Sequence, residues 1–437
     1  MKSKADTIII FTGLPFRKQG NQSLIRFVNM FLSRDFEVIM YSAGHDTKGE
    51  NVIDSPLFSL YKISSIGISF TILLNKVASK LKRRRSLVRN YFDQIKSEDI
   101  VPPYGNYNFT NLINKWMKYI FSLVDNMILF IYIILFHSAK IKKATVIVGY
   151  ETAFTICSRW LSRVYKKKYI NKYQGTILKA TNRDKALALK YFPNNYFSVN
   201  KSDLCLMVQD GTDGKYYAEL KGCKNIFLEP HGVFSYPHHR QYDSIINELK
   251  DRKKFILFNN ASGSTWKRID RIVRGLLKLD KDVLENTVLI TTYHASNKID
   301  LVNFVKSKGL ETNVIFLEKI DSYESNYILQ NAHVVIMTND FSNLGNPLLE
   351  AIYYKIPIIS IDDGSLDGFL SNNYDSLLIK LNDEFDTNMA KAIEKLYNDK
   401  ELYNKLKSNM NRENQVKELS VQQDREFMVI KKLLEEC

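Results

Sequence analysis

Short runs of β-branched, aliphatic and aromatic residues recur along the chain at 7–12, 36–41, 145–148, 204–208, 225–228, 254–258, 287–290, 314–317, 334–337 and 356–361. They are continuously apolar rather than alternating, the pattern of strands covered on both faces. Between them lie segments of helical spacing, such as 22–32 and the stretch carrying Leu348, Leu349, Ile352 and Tyr353. Strands alternating with helices predict an α/β chain built on doubly wound parallel sheets. Pro357 has no N–H to give a ladder, so the last of these strands is expected to begin near Ile358.

The best-defined unit is residues 335–361, VIMTNDFSNLGNPLLEAIYYKIPIISI, read as strand, loop, helix, strand. It places Glu350 near the start of a helix, close to backbone N–H groups that have no helical acceptor. Such a terminus attracts phosphate. Glu350 itself accepts hydrogen bonds from hydroxyls and repels phosphate. A ligand with hydroxyls in one part and phosphate in another, such as a nucleotide-sugar, satisfies both. The competing reading is that Glu350 serves only the helix dipole.

Composition sets the frame. A chain of 437 residues exceeds one typical core and implies two domains. The apolar fraction of 45% supports globular folding, and a net charge of +15 implies an anionic partner: phosphate, nucleic acid or a lipid surface. Cys157, Cys205, Cys223 and Cys437 form no CxxC pair, so neither a disulfide scaffold nor a zinc site is expected, and a reduced cytoplasmic compartment is the simple reading. The first apolar run is too short for a signal peptide and reads as a buried strand. The loop after it lacks GxGxxG spacing; Gly13 and Gly20 either admit a close backbone approach or only complete turns.

Two stretches bear on membranes. Residues 75–90, NKVASKLKRRRSLVRN, carry seven basic side chains and no acid. An anionic membrane surface, a solvated face and a nucleic-acid patch compete there. No zinc finger or nucleic-acid signature accompanies the run, so nucleic acid is not the expected partner. Residues 119–136 are strongly apolar, but Asp125 and Asn126 interrupt them and leave less than the ~20 residues a span needs. A buried or surface-dipping helix is expected, flanked by Lys140-Ile141-Lys142-Lys143.

Three further loops carry candidate chemistry. Gly149-Tyr150-Glu151-Thr152 ends a strand, where ligands of doubly wound sheets bind. Glu229-Pro230-His231-Gly232-Val233 lies near the middle of the chain, and His231 there either meets a ligand or caps the turn. Ser262-Gly263-Ser264 supplies N–H groups for an anion nest, followed by Trp266-Lys267-Arg268.

The 335–361 stretch resembles the donor-binding motif of retaining glycosyltransferases of glycosyltransferase family 4 type, also called glycosyl transferases group 1. That motif is Glu, seven residues, Glu, with a Gly between and an Ala after. Here Gly345, Pro347, Glu350 and Ala351 match, and Ser342 stands in the first Glu position. The resemblance implies the GT-B fold: two Rossmann-like doubly wound domains facing a central cleft. It places an acceptor-binding domain at 1–232, a donor-binding domain at 233–405, and terminal helices at 406–437 packing back on the first domain.

By the same resemblance Glu350 receives the ribose hydroxyls and Lys267 the diphosphate, with Arg268 or Arg271 either a further source of charge or a surface residue. Ser342, Asn343, Leu344, Gly345 and Asn346 line the donor, with Asp340 a possible substitute for the absent carboxylate. Gly13, Gly20, His231, Ser262 and Gly263 belong to its surroundings, and Glu151 to the acceptor side. Tyr150 stands where the family often has His, and the family's Arg before Lys267 is absent.

The implied activity is transfer of a sugar from a UDP- or GDP-sugar to a lipid-linked or cell-surface glycan, with retention. No tightly bound cofactor and no metal are expected. The expected location is the cytoplasm, peripheral on the inner face of the cell membrane. An inverting GT-B transferase, a nucleotide-sugar epimerase, a non-catalytic basic scaffold and an inactive relative are the alternatives.

Overall fold

The computed structural model describes residues 6–17, 22–44, 52–65, 69, 95–100, 109–234, 243–260, 265–293, 298–318, 320–410 and 415–436. Gly20, Ser262, Gly263 and the basic run within 75–90 lie outside them. The chain forms two compact units. The first comprises Met1–Arg84, Asn106–Pro230 and Ser420–Cys437, the second Arg85–Gly105 and His231–Leu419.

The first unit holds a seven-stranded sheet: β1 (Thr7–Thr12), β2 (Glu37–Ser42), β3 (Phe58–Lys62), β4 (Val146–Tyr150), β5 (Lys168–Tyr173), β6 (Leu204–Val208) and β7 (Ile226–Glu229), in the order β3-β2-β1-β4-β5-β6-β7. Every pairing is parallel. The strand period of two divides β1 between two cores. Ile8 and Ile10 pack with the helix Gln22–Leu32, through Phe27 and Phe31. Ile9 and Phe11 face the other way, against Leu129 and Ile133 of the helix Phe109–Phe136.

The second unit repeats the plan with β8 (Phe255–Asn259), β9 (Thr287–Tyr293), β10 (Val314–Glu318), β11 (Val334–Met337), β12 (Ile358–Ile361) and β13 (Leu377–Ile379), ordered β10-β9-β8-β11-β12-β13 and again all parallel. Leu257 and Phe258 point into opposite cores, Phe258 toward Leu348, Leu349 and Ile352. Both sheets are doubly wound and change direction beside their first strand, between β1 and β4 and between β8 and β11. The crevice outside the carboxyl ends at such a point is where ligands bind in this architecture. Each unit is therefore a Rossmann-like doubly wound domain, as the resemblance implies.

Strands β3, β5 and β13 have no counterpart in the hydrophobic reading. β5 reads KYINKY, too polar to announce a core strand, yet five of its six residues are buried. Its polar side chains are paired: Lys172 Nζ reaches Glu426 at 2.6 Å, and Asn171 Nδ2 donates to Asn200 O at 2.9 Å.

The apolar stretch near 119–136 also needs correction. Asp125 and Asn126 do not interrupt it; they lie within one continuous helix of 28 residues, Phe109–Phe136. Both face the protein. Ser65 donates to Asp125 at 2.6 Å, Asn126 Nδ2 donates to Ala153 O at 2.8 Å, and Cys157 N donates to Asn126 Oδ1 at 2.8 Å. Its stretch Leu112–Phe136 is long and apolar enough to cross a membrane, by length and composition.

Candidate functional site

In the second unit the candidate residues gather at the carboxyl ends of β8 and β11. After β8 the chain passes through a single 3-10 turn, Thr265–Lys267, and Arg268 takes a left-handed backbone (φ 50°) before the helix Ile269–Leu276. After β11 it runs through Thr338, Asn339 and Asp340 into the loop ending at Gly345, the N-cap of the helix Asn346–Tyr353. The two stretches are stitched together: Asp340 N donates to Trp266 O at 2.9 Å and Thr338 Oγ1 to Arg268 O at 2.9 Å. Lys267 is thereby held beside the start of the motif loop.

Lys267 is half-buried, its ammonium 4.1 Å from the centroid of the Trp266 ring. Burial lowers its pKa to about 8, because the charged form loses water that the ring replaces only in part. A bound anion would restore the charge.

The loop is fixed from within. Asn343 is fully buried; its Oδ1 accepts from Asn339 N at 2.9 Å and its Nδ2 donates to Asn339 O at 3.1 Å. Its own N–H donates to Ser365 Oγ at 3.2 Å, tying the loop to the turn after β12. Leu344 is buried in the core. Ser342 takes a left-handed backbone (φ 54°), Gly345 and Glu350 are half-buried, and Asn346 is exposed. Leu349 N is the first to bond four residues back, to Gly345 O at 3.1 Å, so Glu350 sits just beyond the first turn. The buried side chains of Asn343 and Leu344 thus shape the loop from within rather than face outward.

Arg268 is placed otherwise than the sequence suggests. Its guanidinium is fully buried: Nε and Nη2 each donate to the Asp270 carboxylate at 3.0 Å, Nη2 to Lys96 O at 2.6 Å, and Nη1 to Asp99 O. Arg271, also buried, donates to Ser97 O at 2.6 Å and Thr338 O at 2.8 Å and pairs with Asp340 at 2.7 Å. Burial lowers the Arg271 pKa to about 10. Asp340 is therefore engaged by arginines rather than standing in for the carboxylate missing at Ser342. The arginines fasten residues 95–99, distant in sequence, onto this unit. Neither a motif nor a hydrophobic run marked that segment.

In the first unit, Gly13 follows β1 and Glu151 follows β4, both at the carboxyl ends flanking the change of direction. Glu151 has a left-handed backbone (φ 62°), strained for a residue with a Cβ. Its Oε1 accepts from Gln174 N at 2.7 Å. Burial raises its pKa to about 7 against the pull of that N–H and of Lys172, and Asp210 adds to the rise. Asp210 is itself raised to about 6, by burial. A Cβ on Gly175 would lie 2.2 Å from Asp210 Oδ2, so a larger residue there displaces that carboxylate. Tyr150, fully buried, accepts from Gln174 Nε2 at 2.9 Å. Asp210 was legible only as part of a turn; what places it near Glu151 is the adjacency of β4, β5 and β6. His231 is half-buried at the start of the second unit, two residues before Val233, whose N–H donates to Lys417 O at 2.9 Å. Among the described residues no group of His, Cys, Asp or Glu is arranged to hold a metal.

Residues 241–413 match the family model of glycosyl transferases group 1. No curated protein matches the chain by sequence. Among solved structures, the sucrose-phosphate synthase of Thermosynechococcus elongatus superposes with a TM-score of 0.68 at 12% identity, over 99% of this chain and 100% of that one. The Anabaena protein HepE in complex with UDP-glucose gives 0.62 at 11% identity, over 98% and 99%. WaaG, a glycosyltransferase involved in lipopolysaccharide biosynthesis, gives 0.58 at 12%, over 96% and 98%. At these identities the likeness shows the fold. The chain therefore has the GT-B fold, and its residues 241–413 are similar to glycosyl transferases group 1.

Proposed function

We propose that the enzyme transfers a sugar, with retention, from a UDP- or GDP-sugar to a lipid-linked or cell-surface glycan acceptor at the inner face of the cell membrane. The observation that carries this reading is the stitching of the Lys267 turn to the Thr338–Gly345 loop at the change of direction of the second sheet. It sets a cation beside a helix entrance, with Glu350 just beyond the first turn. Glu350 receives the ribose hydroxyls. Lys267 and the 342–346 backbone hold the diphosphate, on which charge grows as the sugar departs.

In the transfer itself, the bond from the anomeric carbon to the phosphate oxygen breaks as the acceptor hydroxyl oxygen bonds to that carbon on the same face. The hydroxyl proton passes to the leaving phosphate. Glu151, on the first domain, orients the acceptor hydroxyl. The UDP-glucose held by HepE supports a uridine donor, and the lipopolysaccharide role of WaaG supports a lipid-linked acceptor. A panel of UDP- and GDP-sugars, read by nucleotide release with and without lipid extract, tests the reading. Release stimulated by lipid extract with one donor, and a product of unchanged anomeric configuration by NMR, is expected. An inverted product, or no release with any donor, contradicts it.

A further inference from the structure

The helix Phe109–Phe136 has its polarity inside out. On its protein side sit Asp125 and Asn126, tied to Ser65, Ala153 and Cys157 as described. On its outer side Ile120, Val124, Met127, Ile128, Ile131 and Leu135 are all exposed, Leu135 by 66%. Their spacing of three, four and seven makes them one stripe along the helix. A helix that met water would carry the opposite pattern. A continuous apolar stripe of this length marks a surface built to be covered.

Charge says by what. Residues 109–143 contain Lys115, Lys118, Lys140, Lys142 and Lys143 and a single acid, Asp125, which is buried. Lys142 and Lys143, just beyond the stripe in the short helix Ser138–Lys143, are exposed. An apolar stripe bounded by lysines complements hydrocarbon below and anionic headgroups above. A second copy docking on the same face would bring basic ends against basic ends.

Crossing the bilayer is disfavoured by the inner face. Leu129 and Ile133 are part of the core under β1. Release of the helix would expose them and carry Asp125 and Asn126 into hydrocarbon without their partners.

We propose that this helix lies in the plane of an anionic lipid bilayer, its outer stripe sunk among the acyl chains and Lys142 and Lys143 at the headgroups. The inference deepens the reading of a lipid-linked acceptor and rests on that reading for its purpose, though not for its geometry.

The test uses the full chain with the triple variant Ile128→Gln, Ile131→Gln, Leu135→Gln. These side chains are exposed, so the variant should melt as the wild type does. Sedimentation is measured with vesicles of phosphatidylcholine alone or mixed equally with phosphatidylglycerol. The wild type should sediment with the mixed vesicles and be released by alkaline carbonate. The triple variant should bind at least ~10-fold more weakly, with unchanged nucleotide release from a soluble donor. Lys142→Ser with Lys143→Ser should lose the preference for phosphatidylglycerol. Three results would overturn the proposal: unchanged sedimentation of the triple variant, resistance of the wild type to carbonate, or a lipid-free dimer that the triple variant dissolves. Vesicle binding without nucleotide release from any donor would leave the docking intact and sink the functional reading instead.

Discussion

At the scale of single residues, the shifted groups Lys267 and Glu151 give opposite pH dependences. Lys267 has its pKa lowered to about 8 by burial. The unfolded chain thus holds more protons than the folded one between about pH 8 and about pH 10.4, and in that window stability rises with pH. A diphosphate beside the ammonium reverses the shift. Titration calorimetry near pH 8 in buffers of different ionisation enthalpy should therefore show proton uptake when the nucleotide binds. Lys267→Met should abolish that uptake and slow transfer by at least ~10²-fold; a folded variant with near-normal transfer rejects the assignment.

Glu151 runs the other way, its pKa raised to about 7 by burial. The folded state then holds the extra proton, so stability is greatest below the ordinary carboxylate pKa and is lost as pH rises through about 7. Glu151→Gln keeps an acceptor for the Gln174 N–H and removes the buried charge. It should be more stable than the wild type at pH 8 by on the order of 3 kcal/mol, at about 1.4 kcal/mol per pKa unit, and no more stable at pH 4. If Glu151 orients the acceptor, transfer falls while donor hydrolysis persists. A variant with both activities intact makes the strain at Glu151 purely structural.

At the scale of elements, hydrophobic runs located most strands of both sheets because a parallel strand buried on both faces must be apolar. The strands that escaped, β3, β5 and β13, are short or stabilised by pairing. β5 buries Asn171 and Lys172 against partners that sequence order does not reveal, among them Glu426, 254 positions away. The motif loop was legible in type and place, because Gly345, Pro347 and Glu350 announce a loop entering a helix. Which of its side chains point inward was not: Asn343 and Asp340 read as contact groups yet hold the loop together.

The arginines after Lys267 misled for a related reason. A charge near a ligand site and a charge clamping a distant segment look alike until their partners are seen. Arg271→Met removes the donor to the carbonyls of Ser97 and Thr338 and the 2.7 Å pairing with the buried Asp340. A destabilisation of roughly 3–5 kcal/mol is expected from breaking such a buried pair, measured by urea unfolding, with nucleotide affinity of the folded fraction preserved. Loss of nucleotide affinity without loss of stability would return Arg271 to the donor site.

At the scale of the whole molecule, the chain visits each unit more than once. Residues 95–100 belong to the second unit, and the helix Leu419–Glu435 packs against the first through Ile430 and Leu433 and through the buried Lys172–Glu426 pair. Length and the repetition of strand and helix announced two domains, and the family resemblance implied that the terminal helices return to the first; nothing in the local sequence signalled that residues 95–100 belong to the second. The two sheets share one winding plan, and in both the candidate residues fall at the carboxyl ends beside the change of direction. That agreement between topology and motif makes the donor site the central claim.

It is tested most directly at Glu350, by calorimetric titration of the wild type and Glu350→Gln with the preferred nucleotide and with its 2′-deoxy form. A ribose hydroxyl bonded to a carboxylate predicts that the wild type binds the deoxy form more weakly. The Gln variant should lose about 1–3 kcal/mol toward the ribonucleotide and discriminate less between the two. Equal affinities of both proteins for both ligands would leave Glu350 a helix residue and contradict the account.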